Sequence, residues 1–419
     1  MNEIITVIDV GTVNTCVTIA ELDPDGQLRV VGNGTVESQG IRRGVVVNIE
    51  KTTEAIIYAI DSAERMAGVK IRHASVGISA EHIRSLNSRG NITVSRSDST
   101  VRSNVITAKD VERVIEAAQA LALPVDRDVI HVLPQEYTID DERGIRKPEG
   151  MTGLRLEAYV HIVTAANAAV QNITRCVENA GVEIDQVILE PLASSLAVLS
   201  EDDKEYGVAA IDIGGGTTDI AVYYNGSIRH TSVISLGGNN VTRDIAYVMG
   251  ISREKAEELK IRWGGVYAPE EPEDKVVEGE EIVTKMNSKL PEVNLLKLNA
   301  IIRARQEEIY EMVLRELRRV DCLGVLASGI VLTGGGAMLK DAAKLAEEIF
   351  QRPVRIGAPH GVNGPAQLVN TPVSATSVGL ILQAQTADRP YGNGHRVLEK
   401  TGMGTAFASV KSWLQTLVT

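Results

Sequence analysis

The feature that most constrains this chain is a glycine run set between two β-branched runs: Ala210-Ile211-Asp212-Ile213-Gly214-Gly215-Gly216-Thr217-Thr218-Asp219-Ile220-Ala221. The flanking runs predict buried strands, and the three glycines between them let the backbone approach a phosphate closely. Successive N–H groups in such a turn form an anion-binding nest, to which the Thr217 and Thr218 hydroxyls add donors. Asp212 can hold a hydrated Mg2+ that neutralises phosphate charge. A plain glycine-rich hairpin would need neither the Asp nor the Thr pair. A shorter version opens the chain, Ile8-Asp9-Val10-Gly11-Thr12-Val13-Asn14-Thr15. Alone it is a weak signal, because strand–glycine hairpins are common. Paired with the later loop, it predicts two related halves whose Asp9 and Asp212 hairpins grip a polyphosphate from both sides. A third run, Ile330-Val331-Leu332-Thr333-Gly334-Gly335-Gly336-Ala337-Met338, lies between a predicted strand and a predicted helix. There Gly334, Gly335 and Gly336 would admit a flat nucleobase or sugar; taken alone, a tight strand–helix turn explains them equally well.

Length and charge narrow the classes that remain. A chain of 419 residues has room for about two to four structural units. Lys and Arg total 43 against 55 Asp and Glu, a net charge of −12, which argues against a general nucleic-acid binder. Cys16, Cys176 and Cys322 are far apart and odd in number, so neither a disulfide scaffold nor a zinc cluster is expected. The histidines form no HxxxH pair, and no metal site is legible from them. No secretory leader is read at the N-terminus, and no run reaches the ~18 apolar residues of a membrane span. The expectation is a cytoplasmic protein, or one lying on a membrane surface.

Along the chain, apolar periodicity predicts helices over 52–68, 108–122, 167–180, 191–200, 251–262, 297–320 and 338–349. Strands are expected over 73–79, 157–164, 186–189 and 329–333, as a pair within 207–235, and ahead of a last helix in 371–385. Residues 80–160 interrupt this α/β rhythm with more polar, short-stranded sequence. The acidic run 269–281 reads either as a solvated loop or as a docking patch, and 386–404 reads as a linker.

The three glycine runs together resemble the phosphate-1, phosphate-2 and adenosine signatures of the actin/heat-shock-chaperone/sugar-kinase superfamily. Glu190-Pro191-Leu192-Ala193-Ser194-Ser195 and Ser374-Ala375-Thr376-Ser377-Val378-Gly379-Leu380 resemble its two connecting helices. The resemblance implies a two-lobed α/β fold closing on ATP and Mg2+. Gly11, Thr12, Asn14, Thr15, Gly214, Gly215, Gly216, Thr217 and Thr218 would meet the phosphates, and Gly334, Gly335, Gly336 and Met338 the nucleoside. Asp9 and Asp212 would hold the metal through water, and Glu190 would position an attacking water. Glu257 and Lys260 would flank the nucleoside, unless they are only an i,i+3 surface pair.

Within the superfamily the chain resembles the FtsA family of bacterial cell-division proteins over essentially its whole length. HVLPQEYTIDDERGIRKPEGMTGLRLEAYVHIVTA (131–165) is similar to the end of that family's inserted subdomain 1C, and 210–247, 327–341 and 354–364 are similar as well. The implied organisation is subdomain 1A over 1–79, 161–205 and 370–385, with 1C inserted over 80–160. Subdomain 2A covers 206–235 and 301–369, 2B covers 236–300, a flexible linker covers 386–404, and an amphipathic membrane-targeting helix covers 405–419. Many family members carry a lysine just after the first phosphate loop; here it is Asn14, which gives a loop like that of MreB and one phosphate-neutralising charge fewer. At most a slow ATPase is implied. The family's role is to anchor filaments of the tubulin-like protein FtsZ, by its C-terminal tail, to the cytoplasmic face of the inner membrane at the septum. Its members also self-assemble into filaments and recruit later division proteins. A pilus-assembly adaptor of the PilM type or a metabolic kinase of the same fold is the alternative.

The C-terminus carries its own signal. Only two Phe and two Trp occur in the chain, yet Phe407 and Trp413 both fall at its end. Phe407, Val410, Trp413, Leu414 and Leu417 share one face of a predicted helix, with Ser409, Lys411, Ser412, Gln415 and Thr416 opposite. Fifteen residues from Thr405 make a helix of about 22 Å, too short to span a bilayer but long enough to lie in its interface. Packing of that helix on its own domain is the other reading.

Overall fold

The structure, a computed structural model, describes residues 3–94, 104–267, 276–283 and 289–386. Lobe 1 is built on a six-stranded sheet. Strands Glu3–Val10, Asn14–Leu22 and Leu28–Glu37 form an antiparallel meander, flanked by His73–Ile78, Glu183–Leu189 and the short Val362–Asn363. Its helix Ile49–Ala67 starts where the Asn48 side chain accepts from the Lys51 N–H, and it ends at left-handed Gly68. Ala55, Ile56, Ala59, Ile60 and Ala63 share the inward face of that helix and pack on Ile8, Val17 and Ile19 of the sheet.

Lobe 2 repeats the plan. Val208–Ile213, Thr218–Tyr224 and Ser227–Ile234 form the meander, and Ile330–Thr333 and Val354–Ile356 run parallel beside it. Helices Gly238–Met249, Arg253–Trp263, Leu295–Arg319 and Ala342–Phe350 enclose its core. The two connecting helices, Glu190–Val198 and Ala375–Gln385, lie between the lobes and cross where a side chain at Gly379 would meet the Ala193 carbonyl oxygen at 1.8 Å. Only a glycine permits that approach.

The interruption after residue 80 is a unit of its own. Strands Arg84–Thr93, Arg127–Ile139, Glu142–Ile145 and Arg155–Ala166 make a four-stranded antiparallel sheet, covered by helix Ala108–Gln119. A Thr107/Asp110 capping box starts the helix, and Val111, Val114, Ile115 and Ala118 bury against Tyr137, Leu156 and Val160. The sheet also bonds to strand Ser227–Ile234 of lobe 2. Ser85 Oγ donates to the Thr231 carbonyl at 2.7 Å, Gln135 Nε2 to that of Ile228 at 2.7 Å, and Ser227 Oγ to that of Gln135 at 2.7 Å.

Two expectations are corrected. The strand expected ahead of the last helix is instead a single 3-10 turn, Pro372–Ser374, because Pro372 lacks the N–H a ladder requires. The acidic run is not wholly a loop: the backbone of Val276–Val283 pairs antiparallel with Lys289–Asn294, and β-branched residues at both ends of the segment favour that strand. Phe407, Val410, Trp413, Leu414 and Leu417 lie outside the described residues. Among the described residues, no helix is long and apolar enough to cross a membrane.

Candidate functional site

The two predicted hairpins face each other across the cleft between the lobes. Asp9 stands one residue from the end of Glu3–Val10, and Asp212 one residue from the end of Val208–Ile213. Their loops nearly touch: a side chain at Gly216 would meet Thr12 Oγ1 at 2.4 Å, and one at Gly215 would meet Val13 Cγ2 at 2.2 Å. The threonines divide their work. Thr15 shares a 2.9 Å hydrogen bond with Ser38, and Thr218 Oγ1 donates to the Leu236 carbonyl at 2.8 Å, so these two hydroxyls brace the loops from behind. Thr12 and Thr217 remain half-buried, and Asn14 is exposed.

Helix Gly238–Met249 starts directly on the second loop, with the Gly238 N–H donating to the Gly214 carbonyl at 2.9 Å and the Asn239 N–H to that of Gly215 at 2.8 Å. Lys260 Nζ lies 2.7 Å from Glu257 Oε2, 2.9 Å from Thr242 Oγ1 and 3.4 Å from the Gly238 carbonyl oxygen. The Glu257–Lys260 pair is therefore an i,i+3 ion pair, and it also borders the glycines that carry the second loop. The third glycine run closes the same space. Gly334 has φ of +80°, and a side chain there would meet Asp212 Oδ1 at 2.2 Å. Gly335 faces open space, and Met338 is 57% exposed beside it.

Beneath the loops lie four carboxylates. Thr376 Oγ1 donates to Asp212 Oδ2 at 3.0 Å, Ser194 also bonds Asp212, and Ser79 Oγ donates to Asp219 Oδ1 at 2.6 Å. Asp219 pairs directly with Asp212 across the hairpin. Glu190 occupies the first turn of the first connecting helix, and Gly77 leaves room for it: a side chain there would meet Glu190 Oε1 at 3.0 Å. Burial raises the Asp212 carboxyl to about 6, against the help of its two hydroxyl donors. Burial and then the Asp212 charge raise Asp9 to about 7. Burial pushes Glu190 well above the carboxylate range, with Asp9, Asp219 and Asp212 adding to it, and burial then Asp212 does the same to Asp219. Such a set stores repulsion that a cation would relieve. Among the described residues, no three acidic, His or Cys side chains converge on one metal position. Carboxylates at the base of a cleft, with no three converging on one point, are a donor set that a hydrated cation would fit better than one caged by protein oxygens.

The two hairpins, the third glycine run and the carboxylates thus lie around one cleft, but the Thr15 and Thr218 hydroxyls, expected to meet the phosphates, are fully buried and bonded to Ser38 and the Leu236 carbonyl instead. Asp219, Ser79, Ser194 and Thr376 were not singled out by sequence reasoning. Strand alternation could have found Asp219, which follows the glycine loop on the same hairpin; Ser79 has no local signal, since it meets Asp219 only through the fold.

Comparison with known proteins follows the same lines. The family described as "Cell division protein FtsA" matches residues 209–379, and "SHS2 domain inserted in FTSA" matches residues 80–164. The chain is 45% identical to the cell division protein FtsA of Pseudomonas aeruginosa, over 90% of this chain and 88% of that one. It is 41% identical to that of Neisseria meningitidis, over 98% of each chain. Among solved structures, the PilM–PilN type IV pilus biogenesis complex aligns with a TM-score of 0.63 at 16% identity, over 91% of this chain and 98% of that one. MreB5 of Spiroplasma citri bound to ADP aligns with a TM-score of 0.56 at 15% identity, over 92% and 97%. These two likenesses establish an actin-like ATPase fold.

Proposed function

This chain belongs to the FtsA family of cell-division proteins, and on that premise we propose that it is the ATP-dependent membrane anchor of FtsZ filaments at the division septum. The observation that carries the nucleotide part is the set of buried and half-buried carboxylates, Asp212 and Asp219 with Asp9 and Glu190, directly under two facing glycine loops. Loops 11–15 and 214–218 bind the phosphates, Glu257, Lys260 and loop 334–338 border the nucleoside, and Asp9 and Asp212 hold water around the ion. Bound Mg2+ supplies the charge that offsets both the phosphates and the carboxylates. Burial and the neighbouring carboxylates hold Glu190 well above the usual carboxylate range, and a cation in the cleft would oppose that shift, which suits a water-positioning group in a slow ATPase at most.

The partner surface for the FtsZ tail is placed in subdomain 2B, over 236–300. Tyr247 on helix Gly238–Met249 is 86% exposed, and Ile261 and Trp263 on helix Arg253–Trp263 are 72% and 47% exposed. Neighbouring helices that show large apolar side chains to solvent suit a short apolar peptide. The insert over 80–160 serves filament contacts and the recruitment of later division proteins. The tail over 405–419 lies on the cytoplasmic face of the inner membrane through Phe407, Val410, Trp413, Leu414 and Leu417. A single such tail binds weakly, so attachment depends on several tails per filament. A pilus adaptor or a metabolic kinase would share the fold but have no use for this tail.

The test is co-sedimentation with lipid vesicles, with and without FtsZ. Wild-type protein should sediment and carry FtsZ with it; Trp413→Glu, which puts a charge on the apolar face, should leave both in the supernatant while ATP binding persists. Sedimentation of Trp413→Glu at the wild-type level would remove the anchor from the proposal.

A further inference from the structure

Neither glycine loop, 11–15 or 214–218, carries a lysine or arginine, and a basic residue is set beside the first of them. Strands Ile41–Arg42 and Val45–Val46 form a tight hairpin whose turn residues, Arg43 and Gly44, both have positive φ, +51° and +74°. This turn is wedged into the site. The Gly44 N–H donates to Thr12 Oγ1 at 3.1 Å, and a side chain at Gly44 would meet the Ser79 carbonyl oxygen at 1.8 Å. Gly44 thus lies between the first phosphate loop and the residue that bonds Asp219. Arg43, next in the chain, cannot move away from the loop without breaking that seat.

The Arg43 side chain is held loosely. Its Nη1 is 3.9 Å from Glu81 Oε2, and the two side chains are 46% and 60% exposed, a pairing of little energetic weight. Glu81 is the better anchored partner, because Oε2 also accepts from Ser235 Oγ of lobe 2 at 2.7 Å. Ser235 directly precedes the segment that carries Leu236, the acceptor of Thr218, and the glycines under Lys260. Arg43, in the turn seated on Thr12, therefore meets Glu81, which is bonded to Ser235 of lobe 2, where the two lobes approach. Lys260 sits at the nucleoside side and is already bonded to Glu257 and Thr242.

We propose that Arg43 leaves Glu81 and places its guanidinium on the terminal phosphate of a nucleoside triphosphate bound at loop 11–15, supplying in cis the charge that Asn14 does not. An arginine suits this role, since its planar fork binds two phosphate oxygens at once. The exchange also makes a triphosphate, rather than a diphosphate, the ligand that releases Glu81 from Arg43. The inference rests on the nucleotide reading of the cleft.

Calorimetry on the full chain, with a non-hydrolysable ATP analogue and with ADP in the presence of Mg2+, tests it without relying on turnover. Arg43→Met should weaken the triphosphate about 10- to 100-fold, the range of one or two charge-assisted hydrogen bonds, and ADP by about threefold or less. Arg43→Lys should fall between. Glu81→Gln keeps the acceptor for Ser235 but releases Arg43, so it should tighten the triphosphate; a merely structural role for Arg43 would not produce a gain. Equal weakening of both nucleotides by Arg43→Met, or no change in either, would overturn the assignment while leaving the cleft intact. Wild-type protein that bound neither nucleotide would overturn the cleft reading itself.

Discussion

Ser79 and Asp219, 140 positions apart, are joined by a 2.6 Å hydrogen bond that crosses from lobe 1 to lobe 2. Ser79 directly follows strand His73–Ile78 on the way into the insert, and Asp219 is the second residue of Thr218–Tyr224, the outgoing strand of the second hairpin. The bond therefore ties the root of the insert to the chemistry of the cleft. It also stabilises the charged form of a carboxyl that burial and Asp212 otherwise drive towards neutrality. Ser79→Ala should lower stability by about 1–2 kcal/mol in urea unfolding, the usual cost of a lost buried bond to a polar partner. It should also leave Asp219 more readily protonated, which removes negative charge from the cleft and makes nucleotide affinity less dependent on Mg2+. Ser79→Thr should restore both. A Ser79→Ala protein with wild-type stability would mean the bond carries no net energy.

The carboxylates of the cleft should make the nucleotide-free protein less stable as pH rises. Asp212 moves from 3.8 to about 6 and Asp9 from 3.8 to about 7 on folding, so between those values the folded state holds more protons than the unfolded state. Stability then falls with rising pH through that window, because the native state must release protons it holds favourably. At about 1.4 kcal/mol per unit, Asp212→Asn should stabilise the nucleotide-free protein at pH 7.5 by on the order of 2–3 kcal/mol. The gain should vanish near pH 4. The same variant should bind Mg-nucleotide more weakly, because the amide cannot offset an ion. Unchanged urea midpoints at pH 7.5 would show that the carboxyl is relieved some other way.

How much of this was legible depended on whether the signal was local. The glycine loops were, because a glycine run between β-branched runs is a local signal, and the contacts that a side chain would make with Thr12 at Gly216 and with Asp212 at Gly334 show why none fits there. Helix Ile49–Ala67 was also legible, since its caps and its apolar period agree. Helix Gly238–Met249 was not. It begins at Gly237-Gly238, residues that carry no helix-start signal of their own, and its start is stabilised by Asn240 Oδ1 accepting from the Gly237 N–H at 3.2 Å and by the second glycine loop. The strand Val276–Val283 was hidden by its carboxylates, whose charge masks the β-branched residues at both ends. The partners of the carboxylates come from segments distant in sequence, and no spacing rule reaches Ser79 from Asp219 or Thr376 from Asp212.

The third glycine loop should discriminate between adjacent positions. Gly334 combines φ of +80° with a would-be side-chain contact of 2.2 Å to Asp212 Oδ1, whereas Gly335 has open space around it. Gly334→Ala therefore faces about 1–2 kcal/mol of left-handed strain plus displacement of Asp212. It should lose nucleotide binding along with stability. Gly335→Ala should keep the melting temperature close to wild type, so that any loss of affinity there comes from the nucleotide's own contact and not from the fold. If the two variants behaved alike, the loop would be more pliable than its contacts require.

The junction between insert and lobe 2 should respond to pH in the opposite sense from the cleft. His161 is fully buried, with Nδ1 2.7 Å from Asn87 Oδ1 and Nε2 3.0 Å from Thr231 Oγ1, so Nδ1 carries the proton and Nε2 accepts the threonine hydroxyl. Burial, helped by His230 and His131, lowers its pKa to about 3. His131, whose Nε2 accepts from the Leu189 N–H at 2.9 Å, is lowered by burial to about 4. His230 nearby bonds Glu316 at 2.8 Å and is lowered less, and Arg229 with Glu136 completes the charged surroundings. The unfolded chain binds more protons at these imidazoles below pH 6.5, so their contribution to stability is lost as pH falls from about 6.5 towards 4. At pH 5 the loss from His161 alone is about 2 kcal/mol. Amide exchange, corrected for intrinsic rates, should accelerate at pH 5 relative to pH 7 in strands Arg84–Thr93 and Ser227–Ile234 before it does in the lobe 1 sheet. His161→Gln, which keeps a donor and an acceptor but cannot titrate, should flatten that difference. Equal acceleration in every sheet would mean that the insert and lobe 2 do not open separately, and that the histidines report only global unfolding.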